Sequence, residues 1–155
     1  DIATLNRGFG GSQFWDVFQF AERIMGEHKP EFIVLYSGDN DISSGKSPEW
    51  VFADCAAAVA RLRLLAPASH IILLAIKGSG SRWEQYPAMQ QANKLMRDYT
   101  DTLDNVSFLD LGVLLLDENG QPDPGCFLQD ALHLSEEGYR RWNEALMAHI
   151  HTLQP

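Results

Sequence analysis

Apolar runs and helical stripes alternate along this chain. A continuous apolar run over residues 32–36 stops at the polar segment 37–41. Because the run contains branched residues and no polar interruption, it is typical of a strand buried on both faces of a parallel sheet. We expect it to be the central strand of the domain, with further short strands at 2–5, 70–76 and 106–111.

Four helices are predicted between and after these strands, from apolar residues that recur at helical spacing. Ser12, Ser47 and Ser135 are the predicted N-caps of three of them, since a serine hydroxyl can accept a hydrogen bond from the first turn. The predicted helices cover residues 14–25, 48–65, 83–99 and 136–153. This alternation predicts a single α/β domain over residues 1–155, a three-layer α/β/α sandwich around a parallel sheet.

Glycine-rich polar loops follow the predicted strands, and ligands bind at this carboxyl edge of parallel sheets. Gly11 lies at a strand-to-helix turn, where free backbone N–H groups favour an anion, although a tight connection without a ligand fits the same residues. Asn40 offers a side-chain amide above the sheet, although its segment also has the composition of a simple turn. A third loop carries Ser79, Arg82 and Trp83, which either contact a substrate or form part of a solvated loop.

A carboxylate and a histidine stand three residues apart before the last predicted helix. At this spacing Asp130 can accept a hydrogen bond from one ring nitrogen of His133, which leaves the other nitrogen more basic and ready to take a proton. The pair by itself is a weak signal, since a lone histidine near a helix start is more often a surface or core residue.

The charge balance narrows the choice of partners. The 155 residues carry a net charge of −9 without a basic cluster, which argues against nucleic acid or an anionic membrane as a general partner. No apolar run approaches the ~20 residues needed to span a bilayer, so we expect a soluble protein of undetermined compartment. Cys55 and Cys126 provide neither a disulfide scaffold nor a zinc site, and whether they pair with each other stays open.

Taken in order, the loops carry a more specific signature. It consists of Asn-x-Gly-x-Gly-Gly at 6–11, Gly-x-Asn-Asp at 38–41 and Asp-x-x-His at 130–133. With these blocks the chain resembles the SGNH, or GDSL, hydrolase superfamily over nearly its whole length. The resemblance implies a flavodoxin-like sandwich, no cofactor and no metal, and an esterase or lipase that hydrolyses small-molecule acyl esters through a serine nucleophile.

The resemblance also implies a role for each matching residue. Gly11 would give a backbone N–H and Asn40 a side-chain amide to the oxyanion hole. His133 would be the general base and then the general acid, with Asp130 orienting its ring. Donors aimed at a developing oxyanion are worth roughly 3–4 kcal/mol each in comparable sites.

The family's nucleophile block is the piece that the resemblance does not cover. Gly-Asp-Ser, which in the family ends the first strand, does not occur in these 155 residues, so that strand and its serine are expected to be missing. The chain is then an N-terminally incomplete domain, or it pairs its remaining strands directly, or it completes the sheet through a homo-oligomer. Another hypothesis is a different serine, Ser12 or Ser37, although no motif places either one opposite His133.

Two other classes of function remain beside the serine hydrolase. A non-catalytic descendant of the same fold could bind an acyl or carbohydrate ligand in the same cleft. A metal-dependent hydrolase is a further alternative, although one histidine with scattered aspartates is a poor set of transition-metal ligands. Its candidate ligands are Asp39, Asp41, Asp130 and His133.

Overall fold

The computed structural model describes residues 3–154. This part of the chain contains three strands, five α-helices and three short 3₁₀ segments. The strands are β1 (Phe32–Leu35), β2 (His70–Leu74) and β3 (Val106–Leu109). The helices are α1 (Phe14–Met25), α2 (Asp39–Ser43), α3 (Pro48–Leu65), α4 (Tyr86–Thr100) and α5 (Glu136–Leu153), and the 3₁₀ segments are Gly80–Gln85, Gly112–Leu115 and Pro124–Cys126.

Helices cover both faces of a parallel sheet whose strand order is β1-β2-β3. Since side chains alternate along a strand, Ile71 and Leu73 enter one core, which α1, α3 and α4 complete. Ile72 and Leu74 enter the other core, against α5. The predicted three-layer α/β/α arrangement is thereby confirmed. No helix within residues 3–154 is long and apolar enough to cross a membrane.

The first part of the sheet differs from the prediction. Residues 3–5 form no strand, and Ile2 lies outside the described residues, so a direct pairing of that segment with β1 is wrong for residues 3–5. The apolar run from Phe32 forms an edge strand, and β2 is central, because none of the described residues pairs with the outer side of β1. Val34 on β1 is 42% exposed, so one face of this edge strand is only partly covered.

Helix starts follow local capping, with one correction. Ser47 and Ser135 cap α3 and α5 as predicted, and each hydroxyl accepts a hydrogen bond from a backbone N–H of the first turn. Helix α1 is capped by Gln13 instead of Ser12. The reason is that the backbone N–H of Gln13 donates to the carboxylate of Asp16 at 2.8 Å, which makes Gln13 the residue that caps the helix at Phe14.

The predicted helix over 83–99 is divided in two. A 3₁₀ segment covers Gly80–Gln85, and α4 begins at Tyr86. Pro87 stands in the first turn of α4, where its missing N–H is no loss and its fixed φ favours a helix start. Strands β2 and β3 each end two residues earlier than predicted, at Leu74 and Leu109.

The two cysteines do not form a disulfide. Cys55 and Cys126 are both buried and free. They belong to the cores on opposite faces of the sheet, so the fold keeps them apart. Burial raises the pKa of both thiols, which keeps them protonated.

Candidate active site

A sharp turn at Gly38 carries the chain from β1 into α2 and fixes the position of Asn40. Gly38 has a φ of 104°, in the left-handed region that favours glycine. A Cβ atom here would lie 2.5 Å from Cδ1 of Ile76 and 2.9 Å from Cε2 of Phe14. The backbone therefore crosses the core surface in close contact, and Asn40 follows in the first turn of α2.

Asn40 is held between the glycine-rich segment and the loop after β2. Its Nδ2 donates to the backbone oxygen of Ser12 at 3.1 Å, and its Oδ1 accepts a hydrogen bond from Nη1 of Arg82 at 3.1 Å. Gly11, directly before Ser12, has a φ of 72° and lies in the turn before α1. The structure thus brings the segment of Gly11 against the side chain of Asn40.

Beside Asn40 lies a buried ionic cluster that sequence reasoning missed. Asp39 is 8% exposed and binds two cations, Lys77 at 3.2 Å and the guanidinium of Arg82. Lys77 is itself 6% exposed. Because buried charges are stable only when paired, this cluster holds Arg82 against Asn40. Asp39 is separated from its partners by 38 and 43 residues, so no local sequence pattern could have revealed the pairing.

Asp130 and His133 form a hydrogen-bonded pair at the start of α5. The ring nitrogen Nδ1 of His133 lies 2.6 Å from Oδ2 of Asp130. Oδ1 of the same carboxylate accepts hydrogen bonds from the backbone N–H groups of Leu132 at 2.9 Å and His133 at 3.0 Å. The ring bond first, and then these backbone bonds, lower the pKa of Asp130 to about 2. The His133 side chain is 70% exposed.

The segment Gly80–Gln85 connects the two halves of the site. The backbone N–H of Ser81 donates to the backbone oxygen of Ala131 at 3.1 Å, and its hydroxyl donates to the same oxygen at 3.3 Å. The next residue, Arg82, binds Asn40. The loop after β2 therefore touches both the Asp130–His133 loop and the amide of Asn40.

The three residues considered as a substrate loop have different surroundings. Ser79 is fully buried, and its hydroxyl has no hydrogen-bond partner among residues 3–154. Arg82 is engaged by Asp39 and Asn40. Trp83 stacks on Tyr86 with ring centroids 4.4 Å apart. Beside them is a surface cavity of about 520 Å³, lined by Ser43 and residues 80–85.

The two serines considered as alternative nucleophiles do not bond to His133. In the described part of the chain, the hydrogen bond of the His133 ring goes to Asp130. Ser37 is 4% exposed, and its hydroxyl has no hydrogen-bond partner within residues 3–154. Next to it, burial and then the charge of Asp39 raise the pKa of Tyr36 well above its usual value, so the phenol stays protonated. Ser12 contributes its backbone oxygen to Asn40.

The four candidate metal ligands are directed at different partners. Asp39 binds Lys77 and Arg82, whereas Asp41 binds Lys46 at 2.8 Å and the backbone N–H of Phe14 at 3.2 Å. Asp41 therefore anchors the start of α1. No group of three or more His, Cys, Asp or Glu residues suited to a metal ion occurs within residues 3–154.

Comparisons with known proteins identify the family and the fold. The model of the GDSL-like lipase/acylhydrolase family matches residues 1–141. No curated protein sequence matches the chain. Among solved structures, a protein of Streptococcus pneumonia provisionally described as a platelet activating factor is similar, with a TM-score of 0.84 and 22% identity over 94% of this chain and 71% of that one.

Two further neighbours are described as enzymes. A GDSL-like lipase from Bacteroides thetaiotaomicron has a TM-score of 0.74 and 19% identity, over 96% of this chain and 75% of the other. A Clostridium thermocellum family 3 carbohydrate esterase has a TM-score of 0.72 and 18% identity, over 96% and 71%. The sandwich with its loops at one sheet edge is thus the fold of this hydrolase class. The chain belongs to the GDSL-like lipase/acylhydrolase family.

Proposed function

We propose that this protein hydrolyses the carboxylic ester of a small molecule through a serine nucleophile, an imidazole base and an oxyanion hole. One observation carries the proposal. The loop after β2 connects the Asp130–His133 pair to Asn40, whose amide contacts the segment of Gly11. A base and oxyanion donors then stand at one sheet edge, which is the requirement of acyl transfer.

In this proposal His133 moves the protons. As the serine oxygen attacks the ester carbonyl, the second ring nitrogen of His133 takes the hydroxyl proton and later gives it to the departing alkoxide. Water then attacks the acyl-enzyme in the same way and releases the acid. Asp130 accepts the hydrogen bond that Nδ1 of His133 donates, and its negative charge stabilises the imidazolium. With a pKa of about 2, its carboxylate is ionised at neutral pH.

Gly11 and Asn40 are proposed to stabilise the oxyanion. One N–H of Asn40 is used by the backbone oxygen of Ser12, so the second N–H is available to the substrate. The backbone N–H of Gly11 is the other proposed donor. Preorganised donors of this kind are worth roughly 3–4 kcal/mol each in the transition state.

The serine is proposed to arrive on a strand that pairs with the outer edge of β1. That edge has no strand partner among residues 3–154. An apolar edge strand without a partner favours strand addition. The strand would come from a longer form of this domain. A second copy of the chain would cover the same edge but carries no Gly-Asp-Ser.

A non-catalytic ligand-binding protein is the second candidate. The observation in its favour is that no serine hydroxyl within residues 3–154 is hydrogen bonded to the His133 ring. The ligand would be an acyl or carbohydrate ester held in the same cleft. We prefer the hydrolase because the Asp130–His133 pair is suited to proton transfer, which ligand binding does not require.

Labelling with a fluorophosphonate, read by intact mass and peptide mapping, tests these alternatives. The 155-residue chain is compared with a form extended by an N-terminal strand that ends in Gly-Asp-Ser, and each is compared with its His133→Ala variant. We expect a His133-dependent adduct in the extended form. An adduct on a serine of the 155 residues would instead identify a rerouted nucleophile. No adduct in either form would overturn the hydrolase proposal and favour the binding protein.

A further inference from the structure

We propose that Arg82 is a positioning residue of the oxyanion hole: its guanidinium fixes the Asn40 amide with one N–H directed to the substrate. The catalytic consequence rests on the proposed function, whereas the orientation of the amide does not. Arg82 lies 42 residues from Asn40 along the chain and joins it at 3.1 Å.

The neighbours of Asn40 allow only one orientation of its amide. The backbone oxygen of Ser12 can only accept a hydrogen bond, and the guanidinium of Arg82 can only donate. Nδ2 must therefore face Ser12 and Oδ1 must face Arg82, as observed at 3.1 Å each. A flipped amide would set donor against donor and acceptor against acceptor. Without Arg82, one of the two restraints on the amide would be lost.

The ionic cluster keeps the guanidinium in place. Nη1 of Arg82 contacts both Oδ1 of Asp39 and Oδ1 of Asn40, and Lys77 binds the other oxygen of Asp39. The side chains of Arg82 and Asp39 are 20% and 11% exposed, so solvent screens them little. With two cations and one anion, the cluster has a formal charge of +1 beside Asn40. That charge polarises the amide and favours a developing oxyanion.

Arg82 also occupies a specific place in the site. It follows Ser81, whose N–H and hydroxyl hold the backbone oxygen of Ala131 in the Asp130–His133 loop. The side chain of Arg82 is thus fixed at both ends, by the loop that carries it and by Asp39. This is the geometry of a side chain that holds a catalytic group, since both N–H groups of Nη1 are used by Asp39 and Asn40.

The orientation is tested by NMR of ¹⁵N-labelled protein, which needs no turnover. The Asn40 side-chain amide pair is identified as the signal missing from the Asn40→Ala variant. In Arg82→Met we expect this pair to shift and to exchange its protons about tenfold faster, because a hydrogen bond to a charged group is lost. Arg140→Met is the matched control, since Arg140 is an exposed arginine that binds Glu137 and Glu144. It should leave the pair unchanged.

If Arg82→Met does not fold, the same NMR measurement is made on Arg82→Lys, because the lysine retains a cation for Asp39. We expect the same shift there, because a compact ammonium lacks the planar fork of the guanidinium. An Asn40 pair that is unchanged in the variant that folds would overturn the proposal.

Kinetics with 4-nitrophenyl acetate test the catalytic consequence, in whichever form labels with the fluorophosphonate. Asn40→Ala should lower kcat about 100-fold and Arg82→Met about tenfold, with KM unchanged. The double variant should be no slower than Asn40→Ala, because Arg82 acts through Asn40. Additive losses would overturn the positioning role. If no form turns over the ester, the proposed function fails while the NMR result still decides the orientation.

Discussion

The two halves of the candidate site are built in opposite ways. Asp130 and His133 are three residues apart, exposed, and joined by bonds within one short loop. Asn40 depends on partners 28 and 42 residues away and stands beside a buried charge cluster. The geometry of the histidine half therefore depends on hydrogen bonds within its own loop. The proposed oxyanion half forms only when the distant segments at this sheet edge have come together.

This difference has a consequence for substitutions. Long-range buried contacts couple a residue to global stability, whereas exposed local bonds do not. Changes around Asn40 should therefore lower stability and activity together. Changes at the Asp130–His133 pair should affect chemistry and leave the fold intact.

Gly38→Ala is expected to give the largest loss of stability. The substitution combines a φ of 104° with a Cβ atom 2.5 Å from Ile76. Strain in the left-handed region and overpacking together should reduce the free energy of unfolding by about 3 kcal/mol or more. Urea denaturation measures it. Gly45→Ala is the matched control, because φ is 94° but a Cβ there meets nothing within 4 Å. Equal losses would show that the contact over Ile76 is unimportant.

Asp39→Asn is expected to come next. It removes the anion shared by Lys77 and Arg82 and leaves two buried cations without a counter-charge. Breaking a buried pair in this way typically lowers the free energy of unfolding by about 3 kcal/mol. Asp98→Asn is the control, since its bond to Lys94 is exposed and should contribute less than about 0.5 kcal/mol. A similar denaturation midpoint for both variants would contradict the role of the cluster.

Asp130→Asn should change stability little, because both partners of its ring bond are exposed. Its effect should lie in ester turnover by whichever form labels with the fluorophosphonate, since loss of the orienting carboxylate lowers kcat by about 10⁴ in a comparable triad. Turnover and the denaturation midpoint are measured on the same preparation. A fall in stability comparable with that of Asp39→Asn would contradict the contrast between the two halves.

The sequence predicted the histidine half better than the oxyanion half, for the same physical reason. Asp-x-x-His is a local pattern, and the predicted ring bond is present at 2.6 Å. Ser47 and Ser135 were likewise predictable caps, because capping involves neighbours in sequence. In contrast, the partners of Asp39 lie 38 and 43 residues away, and no periodicity or motif encodes such a pairing.

The position of β1 in the sheet was mispredicted for a related reason. Its apolar run is typical of a strand buried on both faces, and the run indeed forms a strand. Whether such a strand is central depends on which segments pair with it, and none of the described residues covers its outer side. An apolar run therefore predicts the environment that a strand is suited to, and the pairing must be seen in the structure.

The smallest expected effect is a shift in the titration of Asp130, which separates the ring bond from the backbone bonds. The pKa of Asp130 is lowered from an ordinary value of 3.8 to about 2. The hydrogen bond from the His133 ring is the largest cause, and the bonds from the two backbone N–H groups come next. The native state thus binds fewer protons than the unfolded state between these pH values. The contribution of Asp130 to stability is complete above pH 3.8 and is lost as the pH falls through about 2.

His133→Ala removes the ring and keeps both backbone donors. The pKa of Asp130, followed by the ¹³C shift of its carboxyl carbon, should rise towards 3.8 without reaching it, because the bonds from Leu132 and residue 133 remain. An unchanged pKa would mean that the backbone bonds account for the shift. The backbone bonds from Leu132 and His133 alone would then hold the Asp130 carboxylate in place. The ring of His133 would bind to a carboxylate whose position is already fixed.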